Sequence, residues 1–173
     1  MTRPAGPDRY WVVPNALMAG EYPLAYSDAD ARDRIAALLD EGVRSFVDLT
    51  ESDDWKAYDT LVTVLAGELG LDVRYRRMAI RDHDVPTREH MIDVLDHIER
   101  EIREGRPVYV HCLGGIGRTG TVVGCWMVDK ERRTPAEALA RIAELRRDIA
   151  GRSSSPETRE QCRFIEEWLP PDG

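Results

Sequence analysis

The sequence has no apolar run of the length that crosses a bilayer. Its opening stretch, MTRPAGPDRYW, has none of the apolar core that a secretory signal carries. A basic excess is also missing. The net charge is −8, which argues against nucleic acid and anionic membrane surfaces as partners, because both demand a basic face. Cysteine is scarce: three, an odd number without paired spacing, give no disulfide framework. Thiols kept free fit a reducing compartment, so a cytoplasmic location is expected. No second Cys/His pair stands at zinc-ligand spacing, and neither a metal nor a cofactor is expected. Repeats and low-complexity tracts are absent. The 173 residues, 42% hydrophobic, are enough for one domain with a buried core. Residues 1–9 read as a loose arm and residues 10–173 as a single domain, expected to act as a monomer.

Strand and helix signals alternate along that domain. Two short apolar runs, 10–13 and 16–19, flank Pro14-Asn15 and read as edge strands of a hairpin. Ser27-Asp28-Ala29-Asp30 resembles a capping box, followed by Ile35, Leu38 and Leu39 at helical spacing and a stop at Gly42. Residues 43–49 alternate and are β-rich. Residues 58–69 are helical, closed by Gly70, and residues 73–80 form the next strand. Thr87 caps a long helix carrying Met91, Val94 or Leu95, Ile98 and Ile102, which ends at Gly105. The apolar run 107–110 reads as the central strand. A helix from 121 to about 131 follows, then one opened by the box Thr134-Pro135-Ala136-Glu137 and ending at Gly151. Ser155-Pro156-Glu157 starts the last helix. This order predicts an α/β sandwich with a largely parallel central sheet and helices on both faces.

Between the central strand and its helix lies HCLGGIGRTG, residues 111–120. Cys112 precedes Arg118 and Thr119, with Gly114, Gly115 and Gly117 filling most of the gap. A glycine-rich turn entering a helix N-terminus aims several backbone N–H groups at one spot and makes an anion cradle. Arginine adds a planar, permanently charged fork for two phosphate oxygens. The same groups stabilise a thiolate, and attack of that thiolate on phosphorus is the natural reaction. Other readings fit less well. Gly115, Gly117 and Gly120 spell a dinucleotide-binding pattern, but no strand-end acid follows at the required distance. A Walker loop needs Gly-Lys-Ser/Thr. A merely structural Cys112 leaves the arginine and the glycines without a purpose.

Cys-x5-Arg-Thr after a histidine resembles the signature of the cysteine-dependent protein-tyrosine phosphatase superfamily, and the short chain resembles its compact dual-specificity branch. That resemblance implies a phosphotyrosine protein phosphatase-like, three-layer fold over roughly residues 10–169 and needs no metal. It makes Cys112 the nucleophile and Arg118 the phosphate clamp. Backbone N–H groups from Leu113, Gly114, Gly115, Ile116, Gly117 and Arg118 bind the substrate, and Thr119 donates to the sulfur. His111 is expected to brace the loop rather than move protons. The string Ile80-Arg81-Asp82-His83-Asp84-Val85-Pro86, about thirty residues before Cys112, resembles the family's acid loop. Asp82 fits the spacing of the compact branch better; Asp84 is the fallback and His83 a remote third. Gln161 resembles a water-positioning residue of some relatives, or is a helix surface residue.

Arg152 and Ser153, or Asp53, Asp54 and Trp55, could border the site. Arg76 and Arg77 alternate, so they face opposite ways. Cys125 reads as core, and Cys162 as an improbable resolving thiol. The expected substrate is a phosphotyrosine protein, with phosphoserine or phosphothreonine added if the pocket is shallow. The alternatives are a small phosphoester or inositol phosphate, a silent phosphate-binding module, and a thiol-based reductase or sulfur transferase. The absence of lysine from the loop lowers a lipid substrate.

Overall fold

Alternating strand and helix signals become an α/β sandwich. The structure, a computed structural model, describes residues 8–24, 28–53, 56–149 and 154–171. Strands β1 (Arg9–Val13), β2 (Leu17–Gly20), β3 (Ser45–Asp48), β4 (Arg74–Arg77) and β5 (Val108–His111) form one sheet in the order β1-β2-β5-β3-β4. Only the β1–β2 pair is antiparallel. Helices α1 (Asp28–Asp40) and α2 (Asp59–Leu69) cover one face. The other is covered by α3 (Arg88–Arg103), α4 (Gly117–Lys130), α5 (Pro135–Leu145) and α6 (Arg159–Glu166). None of these helices is long and apolar enough to cross a membrane.

The central strands β3 and β5 are buried on both faces, as strands of a parallel sheet covered by helices are. Gly70 closes α2 in the left-handed conformation at φ 66. The Thr87 hydroxyl caps α3 by accepting from His90 N. Helix α4 is buried along almost its whole length and sits between α3, α5 and α6. A Cβ on Gly124 would stand 2.3 Å from Ile165 Cδ1, so a side chain there would force Ile165 of α6 to shift.

Four sequence expectations are corrected. Strand β2 is not an edge: all four of its residues are buried, and it pairs with β5 on its second side. Strand β4 is shorter than residues 73–80. Helix α5 closes at Leu145 rather than Gly151, because Arg147 and Ile149 bond three residues back and tighten the chain into turns. Helix α6 begins at Arg159, where Thr158 and Gln161 form a reciprocal capping box; Ser155–Pro156 is a cis peptide ahead of it. The capping box expected at residues 27–30 falls partly outside the described residues, as does Gly151.

Candidate active site

Strand β5 delivers Cys112, and α4 begins five residues later, so the intervening loop has to turn sharply. Three carbonyls of that loop are held from outside it. Leu113 O accepts from Tyr22 N at 2.9 Å, Gly115 O from Arg146 Nη1 at 2.8 Å, and Ile116 O from Ser155 Oγ at 2.7 Å. Across a planar trans peptide the N–H points opposite to the C=O. The N–H groups of Gly114, Ile116 and Gly117 therefore turn inward. Those three residues line a pocket of about 200 Å³ together with Cys112, Leu113, Arg118, Asp82, His83 and Glu157.

The three loop glycines are not equivalent. Gly115, expected in the cradle, is not among the pocket-lining residues; it backs the loop against β2. Its φ is +67, and a Cβ there would lie 2.4 Å from Gly20 C. Both the conformation and the space exclude a side chain. A Cβ on Gly117 would press on Gln161 and Glu157 at 3.0 Å, whereas one on Gly114 meets only Ile116 side-chain carbon at 3.6 Å. Gly115→Ala is therefore expected to lower kcat/KM on para-nitrophenyl phosphate by about 100-fold, from an ångström-scale displacement of the cradle. Gly114→Ala is expected to stay within about 3-fold. Parallel assays of the two variants check this.

Arg118 is 2% exposed, anchored through Nη1 to Ile80 O at 3.0 Å and Leu49 O at 3.5 Å. The ends of β3 and the segment after β4 thus aim the guanidinium. Its Nη2 meets Asp82 Oδ1 at 3.0 Å. Asp82 is in the pocket; Asp84 is turned back on its own loop, where Oδ1 accepts from Val85 N at 2.8 Å. Cys112 is 3% exposed at the pocket floor. Thr119 is fully buried, and among the described residues its Oγ1 has no hydrogen-bond partner. The donation to Cys112 expected from the sequence is therefore not made in this arrangement.

Behind the cysteine lies a polar layer of which sequence reasoning found only His111. His111 is enclosed, with Nδ1 2.9 Å from Cys112 O and Nε2 2.5 Å from Tyr58 Oη. Burial pushes its imidazole below the ordinary histidine value, so it is neutral at neutral pH and braces the loop. The rings of Tyr22, Tyr58 and Tyr109 pack around it. Beside it, Asp48 Oδ1 accepts from Thr50 N and Oγ1 at 2.9 and 2.6 Å, and Oδ2 from Tyr75 Oη at 2.6 Å and Arg77 Nη2 at 3.2 Å. Burial opposes the Asp48 charge. The positive charge that His111 takes on in acid and these hydrogen bonds outweigh it and hold the carboxyl below the usual range. The only signal in the sequence was an acid at the end of a buried strand.

The remaining candidates separate cleanly. Gln161 is fully buried, which corrects the surface reading: Oε1 accepts from Glu157 N and Thr158 N, and Nε2 donates to Asp84 O at 3.3 Å. Arg77 pairs with Asp48, whereas Arg76 turns to His97 on the opposite face. Asp53 is exposed and does not line the pocket. Cys125 is core, its thiol pushed up by burial, and Cys162 is half-buried on α6. Asp54, Trp55, Arg152 and Ser153 lie outside the described residues.

A family model described as "Tc-R-P: Polymorphic toxin system, DSP-PTPase phosphatase" matches residues 23–132. The chain belongs to the cysteine-dependent protein-tyrosine phosphatase superfamily. Within that superfamily it is a compact, dual-specificity-like member. The uncharacterized protein MJECL20 of Methanocaldococcus jannaschii is 37% identical over 90 residues, 52% of this chain and 56% of that protein. The chain thus spans about half the length of that curated relative. The rat phosphatidylglycerophosphatase and protein-tyrosine phosphatase 1 is 26% identical over 157 residues, 89% of this chain and 76% of that protein. Among solved structures, Tk-PTP in its active form superposes with a TM-score of 0.74 at 23% identity, covering 94% of this chain and 99% of that one. The superfamily fold is therefore common to both.

Proposed function

We propose that the chain hydrolyses phosphomonoesters, phosphotyrosine proteins foremost, through a phosphocysteine intermediate. The observation that carries this reading is the convergence of Cys112, Arg118, Asp82 and the inward N–H groups on one pocket. The phosphate sits in the cradle and takes the Nη2 edge of Arg118. The Cys112 thiolate forms an S–P bond in line as the P–O bond to the leaving group breaks. The departing oxygen keeps that electron pair and receives a proton from Asp82. Water then attacks phosphorus and gives its proton to the Asp82 carboxylate. The S–P electrons return to sulfur. Arg118 and the loop N–H groups neutralise charge on the equatorial oxygens throughout.

Among the described residues that line the pocket there is no Phe, Tyr or Trp, and Leu113 is 38% exposed. A pocket so bounded does not demand the full length of a phosphotyrosine, so phosphoserine and phosphothreonine are accepted more slowly. The rat relative's name supports a second reading, a phosphatidylglycerophosphate-type lipid monoester. The Glu157 side chain in the pocket lining weighs against a headgroup carrying further negative charge.

The test compares kcat/KM on a phosphotyrosyl peptide, a phosphoseryl peptide and phosphatidylglycerophosphate in detergent, for wild type, Asp82→Asn and Asp84→Asn. The phosphotyrosyl peptide is expected to lead. Asp82→Asn is expected to lose about 100-fold and Asp84→Asn less than about 3-fold. Inactivity of the wild type on all three substrates overturns the proposal; a lead for the lipid favours the second reading.

A further inference from the structure

The acid loop has no secondary structure of its own, yet Asp82 is held against Arg118. Besides its own turn, in which Asp84 N donates to Arg81 O at 3.1 Å, the loop meets the segment leading into α6. His83 adopts a left-handed backbone, φ 58, that histidine tolerates better than most side chains. This places its ring between two carboxylates, Nε2 3.5 Å from Asp82 Oδ2 and Nδ1 3.5 Å from Glu157 Oε2. One residue on, Asp84 O accepts from Gln161 Nε2. The same segment braces the phosphate loop through Ser155 Oγ on Ile116 O, and Glu157 with Gln161 of α6 leaves little room for a side chain at Gly117. One stretch of chain therefore registers the acid loop against the phosphate loop.

We propose that His83 and Glu157 are positioning residues, a latch across the pocket mouth that sets where Asp82 delivers its proton. The inference rests on Asp82 being the general acid. The latch contacts are long and largely solvent-exposed, so each is weak. A weak latch suits a loop that has to admit substrate and release product.

A latch acting through the acid leaves a signature that a general structural role does not. Protonation matters for a poor leaving group and little for a good one. The experiment measures kcat/KM, which reports the thiol-attack step alone and not the later hydrolysis that also uses Asp82, on phenyl phosphate and on 2,4-dinitrophenyl phosphate. The proteins are wild type, Asp82→Asn, His83→Asn, Glu157→Gln, and each latch variant combined with Asp82→Asn. Asparagine also tolerates the left-handed backbone, and glutamine keeps the shape of Glu157. Each latch variant is expected to lose about 3- to 10-fold on phenyl phosphate and less than about 2-fold on the dinitrophenyl ester, with no further loss in the Asp82→Asn background. Both substrates are read on one sample, so their ratio does not depend on how much of a variant folds. Equal losses on both esters, no loss on either, or a Glu157→Gln loss that persists without Asp82 each overturn the latch. Persistence would place Glu157 on the substrate itself. If Asp82→Asn shows no leaving-group bias, the acid assignment fails first and takes the latch with it.

Discussion

Cys112→Ser is expected to lower kcat by at least about 10,000-fold, roughly 5.5 kcal/mol of transition-state stabilisation. A serine hydroxyl attacks only when a base removes its proton. His111 cannot supply that base, because one nitrogen faces the Cys112 carbonyl and the other the Tyr58 hydroxyl. Asp82 stands at Arg118, and in the proposed mechanism its proton goes to the leaving group on the opposite side of phosphorus. The substitution is close to isosteric at a buried site, and the fold and the anion cradle are expected to persist. The check pairs para-nitrophenyl phosphate turnover with a thermal shift on adding orthovanadate. Lost turnover with a retained shift assigns the sulfur to chemistry. Turnover within about 10-fold of wild type would remove the phosphocysteine step.

Arg118→Ala is expected to cost about 1,000-fold in kcat/KM, near 4 kcal/mol, and Arg118→Lys to recover little of it. Phosphate in flight spreads charge over three oxygens, and a fork fixed by backbone carbonyls meets two of them without rearranging. A lysine ammonium brings the charge but cannot hold Ile80 O and also span two oxygens. The side chain is also structural: its loss leaves the Ile80 and Leu49 carbonyls without this buried donor. Stability is expected to fall by about 1–3 kcal/mol. Steady-state kinetics and urea denaturation on the same preparations separate the two effects. A lysine variant within about 10-fold of wild type would show that charge alone suffices.

What the sequence made legible was whatever a local pattern encodes. Period and caps placed α2, α3 and the start of α5, and the strand–glycine–helix order around Cys112 placed the cradle. Contacts between distant segments were not legible. Nothing near Ser155 announces that its hydroxyl reaches Ile116, and nothing in the sequence around Leu145 says that Arg146 leaves the helix to hold Gly115. Asp48 and Tyr58 meet beside His111 only once β3 lies next to β5. Gln161 read as a surface residue or a water-positioning one because its burial depends on Asp84, 77 residues away. Spacing to Pro86 favoured Asp82 over Asp84; in the structure Asp82 lies against Arg118, and Asp84 turns back on its own loop.

The three donors that hold the loop carbonyls, Tyr22, Arg146 and Ser155, all lie outside residues 23–132, the stretch that the family model matches. The chemistry is therefore not a portable part. Transplanted alone, residues 23–132 would bring thiol, guanidinium and acid but leave three peptides free to flip, and a flipped peptide offers the phosphate an oxygen instead of a hydrogen. Drift at either end of the chain would then register as lost turnover before it registered as lost folding.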